Sequence, residues 1–190
     1  MTVHARRPAT SADIEALPPD VIGEIINGAL FTQPRPSVQH SFSATSLTDE
    51  VVGPFQKGRG GPGGWTFLTE PELILGPHTL VPDLVGWRKD RMPRVPRTKR
   101  VENICPNWVC ELLSDATEKR DRGEKRVIYA AYGVDHLWLV DPRVCSVEVF
   151  QRQDRQWLAI GYYTDSDKVA APPFEAITMD LSVMWPETDE

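Results

Sequence analysis

Residues 107–141 read NWVCELLSDATEKRDRGEKRVIYAAYGVDHLWLVD, and this stretch decides the fold class. Asn107–Leu113 and His136–Val140 are apolar, β-prone runs of strand length. Between them, Ser114-Asp115-Ala116-Thr117 opens a helix that runs to Tyr132, with Glu118 spaced for a capping box to Asp115. Gly133 supplies the left-handed residue that ends it. A strand, a helix and a strand in succession need further strands to pair with, and the flanking sequence holds them.

Upstream, Trp65–Thr69, Glu72–Leu75 and Leu80–Trp87 read as strands. Asn27-Gly28 between the apolar runs Glu24–Ile26 and Ala29–Phe31 marks a tight hairpin. Ser37 is placed to cap a helix through about Val52, with Val38, Phe42, Thr45 and Asp49 near one face. Residues 53–64, GPFQKGRGGPGG, hold six glycines and two prolines and read as a flexible loop. Residues 88–105 form a loop rich in basic residues. Downstream, Asp141-Pro142-Arg143 turns the chain into a hairpin, Ser146–Gln151 and Gln156–Tyr163. Phe174–Trp185 is a short extended piece and a helical turn. The order hairpin, helix, strands, helix, strands predicts an α+β fold, a mixed β-sheet flanked by helices in a single domain. That domain covers residues 21–185, between a flexible arm at 1–20, with a helical turn at Ser11–Leu17, and an acidic tail at 186–190.

With 190 residues and 41% apolar content, the chain has enough apolar material for one core. No apolar run approaches the roughly 20 residues of a membrane-spanning helix, and the N-terminal segment lacks the apolar centre of a secretory signal. A cytoplasmic protein without membrane contact is expected. Cys105, Cys110 and Cys145 are odd in number and lack zinc-type spacing, so they read as reduced thiols. A net charge of −6 argues against wholesale coating of nucleic acid, though not against a local basic patch. Residues 88–100, RKDRMPRVPRTKR, are such a patch, either a solvated loop or one that contacts phosphates through Arg88, Lys89, Arg91, Arg94, Arg97, Lys99 and Arg100. The glycine stretch lacks the Gly-Lys-Ser/Thr of a phosphate loop, and Ser114 lacks a nucleophile elbow.

Three charged residues stand out. Along Leu80–Trp87, alternation places Asp83 on one face with Val81, Val85 and Trp87. Along Asn107–Leu113, Glu111 shares a face with Val109 and Leu113. A carboxylate in an apolar row is costly unless it is paired or holds a metal. Two of them on neighbouring strands could grip one Mg²⁺, which prefers oxygen ligands; acids solvated at strand ends are the alternative. On the following helix, 100° per residue puts Asp121, Lys125, Ile128 and Tyr132 on one side. Lys125 can then point back at both carboxylates, where an ammonium orients a nucleophilic water or stabilises developing charge. The alternative is a solvated i,i+4 pair with Asp121.

Taken in order, Val81-Pro82-Asp83, Glu111-Leu112-Leu113-Ser114, Asp121 with Lys125, Tyr129 and Tyr132, Gly133-Val134 and Trp138-Leu139-Val140-Asp141-Pro142 resemble the Uma-two family of endonucleases. That family is similar to restriction endonucleases, within the PD-(D/E)xK nuclease superfamily. The opening Glu24-Ile25-Ile26-Asn27-Gly28 and the closing Asp180–Trp185 extend the resemblance over roughly residues 22–185. It implies a restriction-endonuclease-like fold and metal-assisted hydrolysis of DNA. Asp83 and Glu111 would be the ligands of Mg²⁺ or Mn²⁺, and Lys125 would be the catalytic lysine. The superfamily's usual lysine position holds Leu113, and Lys125 on the next helix would replace it. Glu24 and His40 match an acidic and a histidine position of the family, with Asp121 as further support; a hairpin glutamate and a core histidine are the plainer readings of the first two. A homodimer is implied by resemblance alone. An inert DNA- or protein-binding relative and a phosphoesterase for small substrates are the competing functions.

Overall fold

The computed structural model describes residues 7–187, so the expected arm is seen only from Arg7 onward and the tail only to Glu187; the rest of both lies outside the described residues. Asn27 and Gly28 both take left-handed backbone, with φ of 51° and 77°, as a two-residue turn requires. They join β1 (Ile22–Ile26) to β2 (Ala29–Gln33). On its other side β1 pairs with β5 (His78–Leu80), which is followed by β4 (Glu72–Leu75) and β7 (Arg100–Glu102) in a five-stranded sheet. A second sheet of six strands runs β11 (Gln156–Thr164), β10 (Ser146–Gln153), β9 (His136–Asp141), β8 (Trp108–Leu112), β6 (Leu84–Arg88) and β3 (Trp65–Thr69). A short ribbon of β12 (Lys168–Val169) and β13 (Met179–Asp180) lies near the C-terminus. The mixed α+β fold expected from the sequence is present. β8 and β9 pair in parallel, which the intervening helical crossover makes possible.

Five expectations need correction. Leu80–Trp87 is not one strand. Pro82 has a fixed φ and no N–H to give to a ladder, so β5 ends at Leu80 and β6 begins at Leu84 in the other sheet. Asp83 therefore sits in the link between the sheets, not within a strand. The basic stretch is not wholly loop, because Arg100–Glu102 forms β7 beside β4. The glycine stretch opens as a π-helical turn, Val52–Gln56, with Phe55 buried in the core. The long helix before Gly133 is three pieces: α3 (Glu118–Arg120), a π-helical turn (Asp121–Lys125) and α4 (Arg126–Tyr132). Gly133 ends it in left-handed backbone, as expected. The capping box from Asp115 to Glu118 does not form, since the Glu118 carboxylate is drawn to Arg122 and Arg143.

The earlier helices follow the same logic. A short α1 (Ser11–Glu15) precedes β1. Helix α2 (Val38–Val51) is capped by Ser37, whose hydroxyl accepts the His40 N–H. Its Val38 and Phe42 face is the solvent side; His40, Ser43, Leu47 and Val51 face inward. No helix among the described residues is long and apolar enough to cross a membrane, and all three cysteines are free thiols.

The central strands bury both faces, so their alternation separates two cores rather than core from solvent. Trp108, Cys110 and Leu112 of β8 join Phe67, Trp138 and Phe174 on one side; Val109, with Val85 and Leu139, joins Tyr129 and Leu80 on the side facing the smaller sheet. Gly86 shows how tight the aromatic core is. A Cβ there would stand 2.8 Å from the Phe67 ring and 3.2 Å from Trp108. Phe67 cannot retreat, because it stacks on Trp65 and meets Trp108 edge-on at 6.0 Å. Gly86→Ala is expected to cost about 1–3 kcal/mol, measured by urea unfolding. An unchanged midpoint would show that the aromatic cluster takes up a methyl freely.

Candidate active site

The link Val81-Pro82-Asp83 brings the two sheets together, and the polar groups gathered there build a site. The Asp83 carboxylate bridges two elements: Oδ2 accepts the Leu112 N–H of β8 at 2.7 Å, and Oδ1 lies 3.2 Å from His40 Nε2 on α2. The β6–β8 ladder ends at Leu84 and Cys110, so Asp83 takes the next available amide beyond it. Glu111 projects from β8 toward α4. Its Oε1 accepts the Tyr129 hydroxyl at 2.5 Å and lies 2.8 Å from Lys125 Nζ. The same ammonium is 3.1 Å from Asp121 and 3.1 Å from Glu24. Glu24 Oε1 also accepts the Val81 N–H at 2.8 Å, which ties β1 to the link. Lys125 thus joins the first hairpin, the central strand and the crossover helix.

The cluster is buried: Glu24, Glu111, Asp121 and Lys125 are each 1–2% exposed. Burial pushes the Glu111 carboxyl well above its ordinary range; the Lys125 ammonium opposes this, and Asp121, Asp83 and Glu24 add to it. Asp121 is also raised, first by burial. Burial would lower the Lys125 pKa, but Asp121, Glu111 and Glu24 outweigh it and hold the ammonium protonated. His40 is likewise disfavoured as a cation by burial and favoured by its contact with Asp83, with a net rise. Glu24, Glu111 and Asp121 therefore share one cation, Lys125, while the neighbouring Asp83 faces His40, a cation when protonated.

A cavity of about 360 Å³ opens onto this cluster, lined among others by His40, Asp83, Glu111, Ser114, Thr117 and Lys125. A groove of about 510 Å³ adjoins it along α2, sharing His40, Glu70 and Asp83 and reaching Lys57. Arg143 stands at the cavity wall and pairs with Asp141, Glu118 and Asp115, which fixes the turn after β8 against the β9–β10 turn. The donors nearest the cavity are carboxylate oxygens, which suit a hard divalent cation. Among the described residues no three histidine, cysteine, aspartate or glutamate side chains stand as a ready metal cage. Mg²⁺ needs no such cage, since it usually keeps several waters and takes one or two carboxylates. The excess of carboxylates over ammonium is the feature that such a cation would balance.

The structure brings Glu24, His40, Asp83, Glu111, Asp121 and Lys125 into this one site. The loop cations are spread out. Arg88 is the last residue of β6, about 16 Å along the strand from the Asp83 end at ~3.3 Å per residue, and lies over Trp65. Arg91 pairs with Asp135 at 3.1 Å. Lys99 and Arg100 return to a separate cavity beside Glu70 and Val81, where Arg100 pairs with Glu72 at 2.6 Å and Glu15 at 3.1 Å. Lys89, Arg94 and Arg97 make no ion pair among the described residues. Sequence reasoning gave no role to Tyr129, Glu70 or Arg143. Tyr129 carried a signal, its i,i+4 spacing from Lys125. Glu70 and Arg143 reach the site through turns, where no periodicity marks them.

The model of the Uma2 family, described as "putative restriction endonuclease", matches residues 11–183. A crystal structure of a "putative nuclease belonging to DUF820" from Anabaena variabilis superposes with a TM-score of 0.72 at 21% identity, over 94% of this chain and 98% of that one. At that identity the likeness establishes the fold. No curated protein matches the sequence.

Proposed function

From the membership of this chain in the Uma2 family, described as "putative restriction endonuclease", we propose that it is a divalent-cation-dependent endonuclease that hydrolyses phosphodiester bonds in DNA. The observation that carries this reading is the buried carboxylate cluster, under-balanced by Lys125 and open to a cavity beside Asp83 and Glu111.

Asp83 and Glu111 would hold Mg²⁺ or Mn²⁺. When bound, such a cation lowers the pKa of a coordinated water and draws charge from a phosphoryl oxygen. The chain's own residues set the geometry. The Leu112 N–H and His40 hold both oxygens of Asp83. Lys125 stands where an ammonium orients the nucleophile or meets negative charge as it develops. Arg35 on the cavity wall and Lys57 in the adjoining groove, neither in an ion pair among the described residues, are placed to hold backbone phosphates. Such contacts give position rather than sequence choice. Lys89, Arg94, Arg97 and Lys99, which make no ion pair among the described residues, would extend that contact beyond the cleft.

Supercoiled plasmid should be nicked with Mg²⁺ or Mn²⁺ and left intact with EDTA. Folded protein that leaves supercoiled, linear and single-stranded DNA intact with both metals would overturn the endonuclease. A salt-sensitive DNA complex in that case would establish an inert binding protein instead.

A further inference from the structure

Glu111 is held by two donors delivered from one helix face. Lys125 and Tyr129 are spaced i,i+4, and both reach the same oxygen, Oε1. Tyr129 is fully buried, and its hydroxyl donates to Glu111 Oε1 at 2.5 Å. Its ring packs in the core between the sheets, beside Ile128 and Leu139. Lys125 alone would not fix the carboxylate, because it is shared with Asp121 and Glu24. The hydroxyl has no other acceptor among the described residues.

We propose that Tyr129 is a positioning residue for Glu111: its hydroxyl pins Oε1 and so presents Oε2 to the cavity as the ligand oxygen for a divalent cation. The inference deepens the endonuclease reading and rests on it. Tyr129 follows Lys125 inward by the ordinary i,i+4 spacing of α4, whereas Tyr132 is 39% exposed.

The test is calorimetric titration of the full chain with Mn²⁺ alone, for wild type, Tyr129→Phe and Ile128→Val. Tyr129→Phe keeps the ring and removes the donor; Ile128→Val loosens the same helix without touching Glu111. Outer-shell partners of ligands typically contribute 10- to 100-fold to metal affinity, so Tyr129→Phe should bind Mn²⁺ about 10- to 100-fold more weakly. Ile128→Val should bind as wild type does, with circular dichroism melts confirming that both variants fold. Unchanged affinity in Tyr129→Phe would overturn the positioning role and leave the nuclease standing. Equal weakening in both variants would also overturn it, because the loss would then report helix packing. A wild type that binds no Mn²⁺ would remove the cation site, and with it both proposals.

Discussion

Lys125→Met is expected to lose about 3–5 kcal/mol of folding stability at neutral pH, the size of effect seen when one partner of a buried ion pair is removed. Methionine fills much of the same space, so the loss would report charge rather than a void. Wild type holds Glu24, Glu111 and Asp121 around a single ammonium, all at 3.1 Å or closer and all buried. Without it the three acids repel one another. Glu111 and Asp121 already sit above the ordinary carboxylate range because of burial, and Lys125 is what holds them down. In the variant their folded-state pKa values rise further. A group whose folded pKa is raised adds stability that is complete below its unfolded pKa and is lost as pH rises through the folded one. The deficit should therefore be largest at neutral pH and above. It should shrink as pH falls from those raised values toward the ordinary carboxylate range near ~4. Urea unfolding of both proteins at several pH values measures this. The difference between them cancels pairs they share, such as Asp141 with Arg143. A variant as stable as wild type at neutral pH would show that the acids are solvated and the cluster is open.

Asp83, Glu111, Asp121 and Lys125 are legible as charges set in apolar rows and at helical spacing, and the resemblance adds Glu24 and His40. Their convergence depends on Pro82, which breaks one expected strand into β5 and β6 and sends the chain from one sheet to the other. The break can be seen in the sequence, but the pairing partners cannot, because β1 meets β5 through contacts far apart in the chain. The π turn is harder still. Regular helical spacing puts Tyr132 on one side with Lys125, yet it is 39% exposed, and no propensity distinguishes the wide turn Asp121–Lys125 from a regular one. Burial of Asp121 and Lys125 against Glu111 goes with it. The basic stretch is legible only in part. Its composition is plain, but Arg91 and Arg100 pair with Asp135 and with Glu72 and Glu15 from distant segments.

Because Lys125 supports the fold, loss of cleavage on its removal would not separate chemistry from stability, and Glu111→Gln is the cleaner probe. The amide carbonyl can still accept from Tyr129 and Lys125, the two groups that hold Oε1. The change removes one negative charge from a cluster in which Asp121, Asp83 and Glu24 all disfavour ionised Glu111. The variant should therefore unfold in EDTA at the wild-type temperature or above it. Cleavage should fall by at least about 10²-fold, the scale of losing one preorganised electrostatic group at a reacting centre. Any rise in melting temperature that Mn²⁺ gives the wild type should disappear as well, since a ligand stabilises only the folded state that binds it. Plasmid nicking and thermal melts with and without Mn²⁺ measure both effects on one preparation. A Glu111→Gln protein that still cuts at the wild-type rate would place the reaction elsewhere in the cleft. One that melts far below wild type in EDTA would mean that the carboxylate is needed by the fold, so the cluster would be a buried ion-pair network and not a site held ready for a cation. A stable protein without activity is the result that ties the imbalance of charge to catalysis, because the fold would then do as well without a carboxylate that the reaction needs.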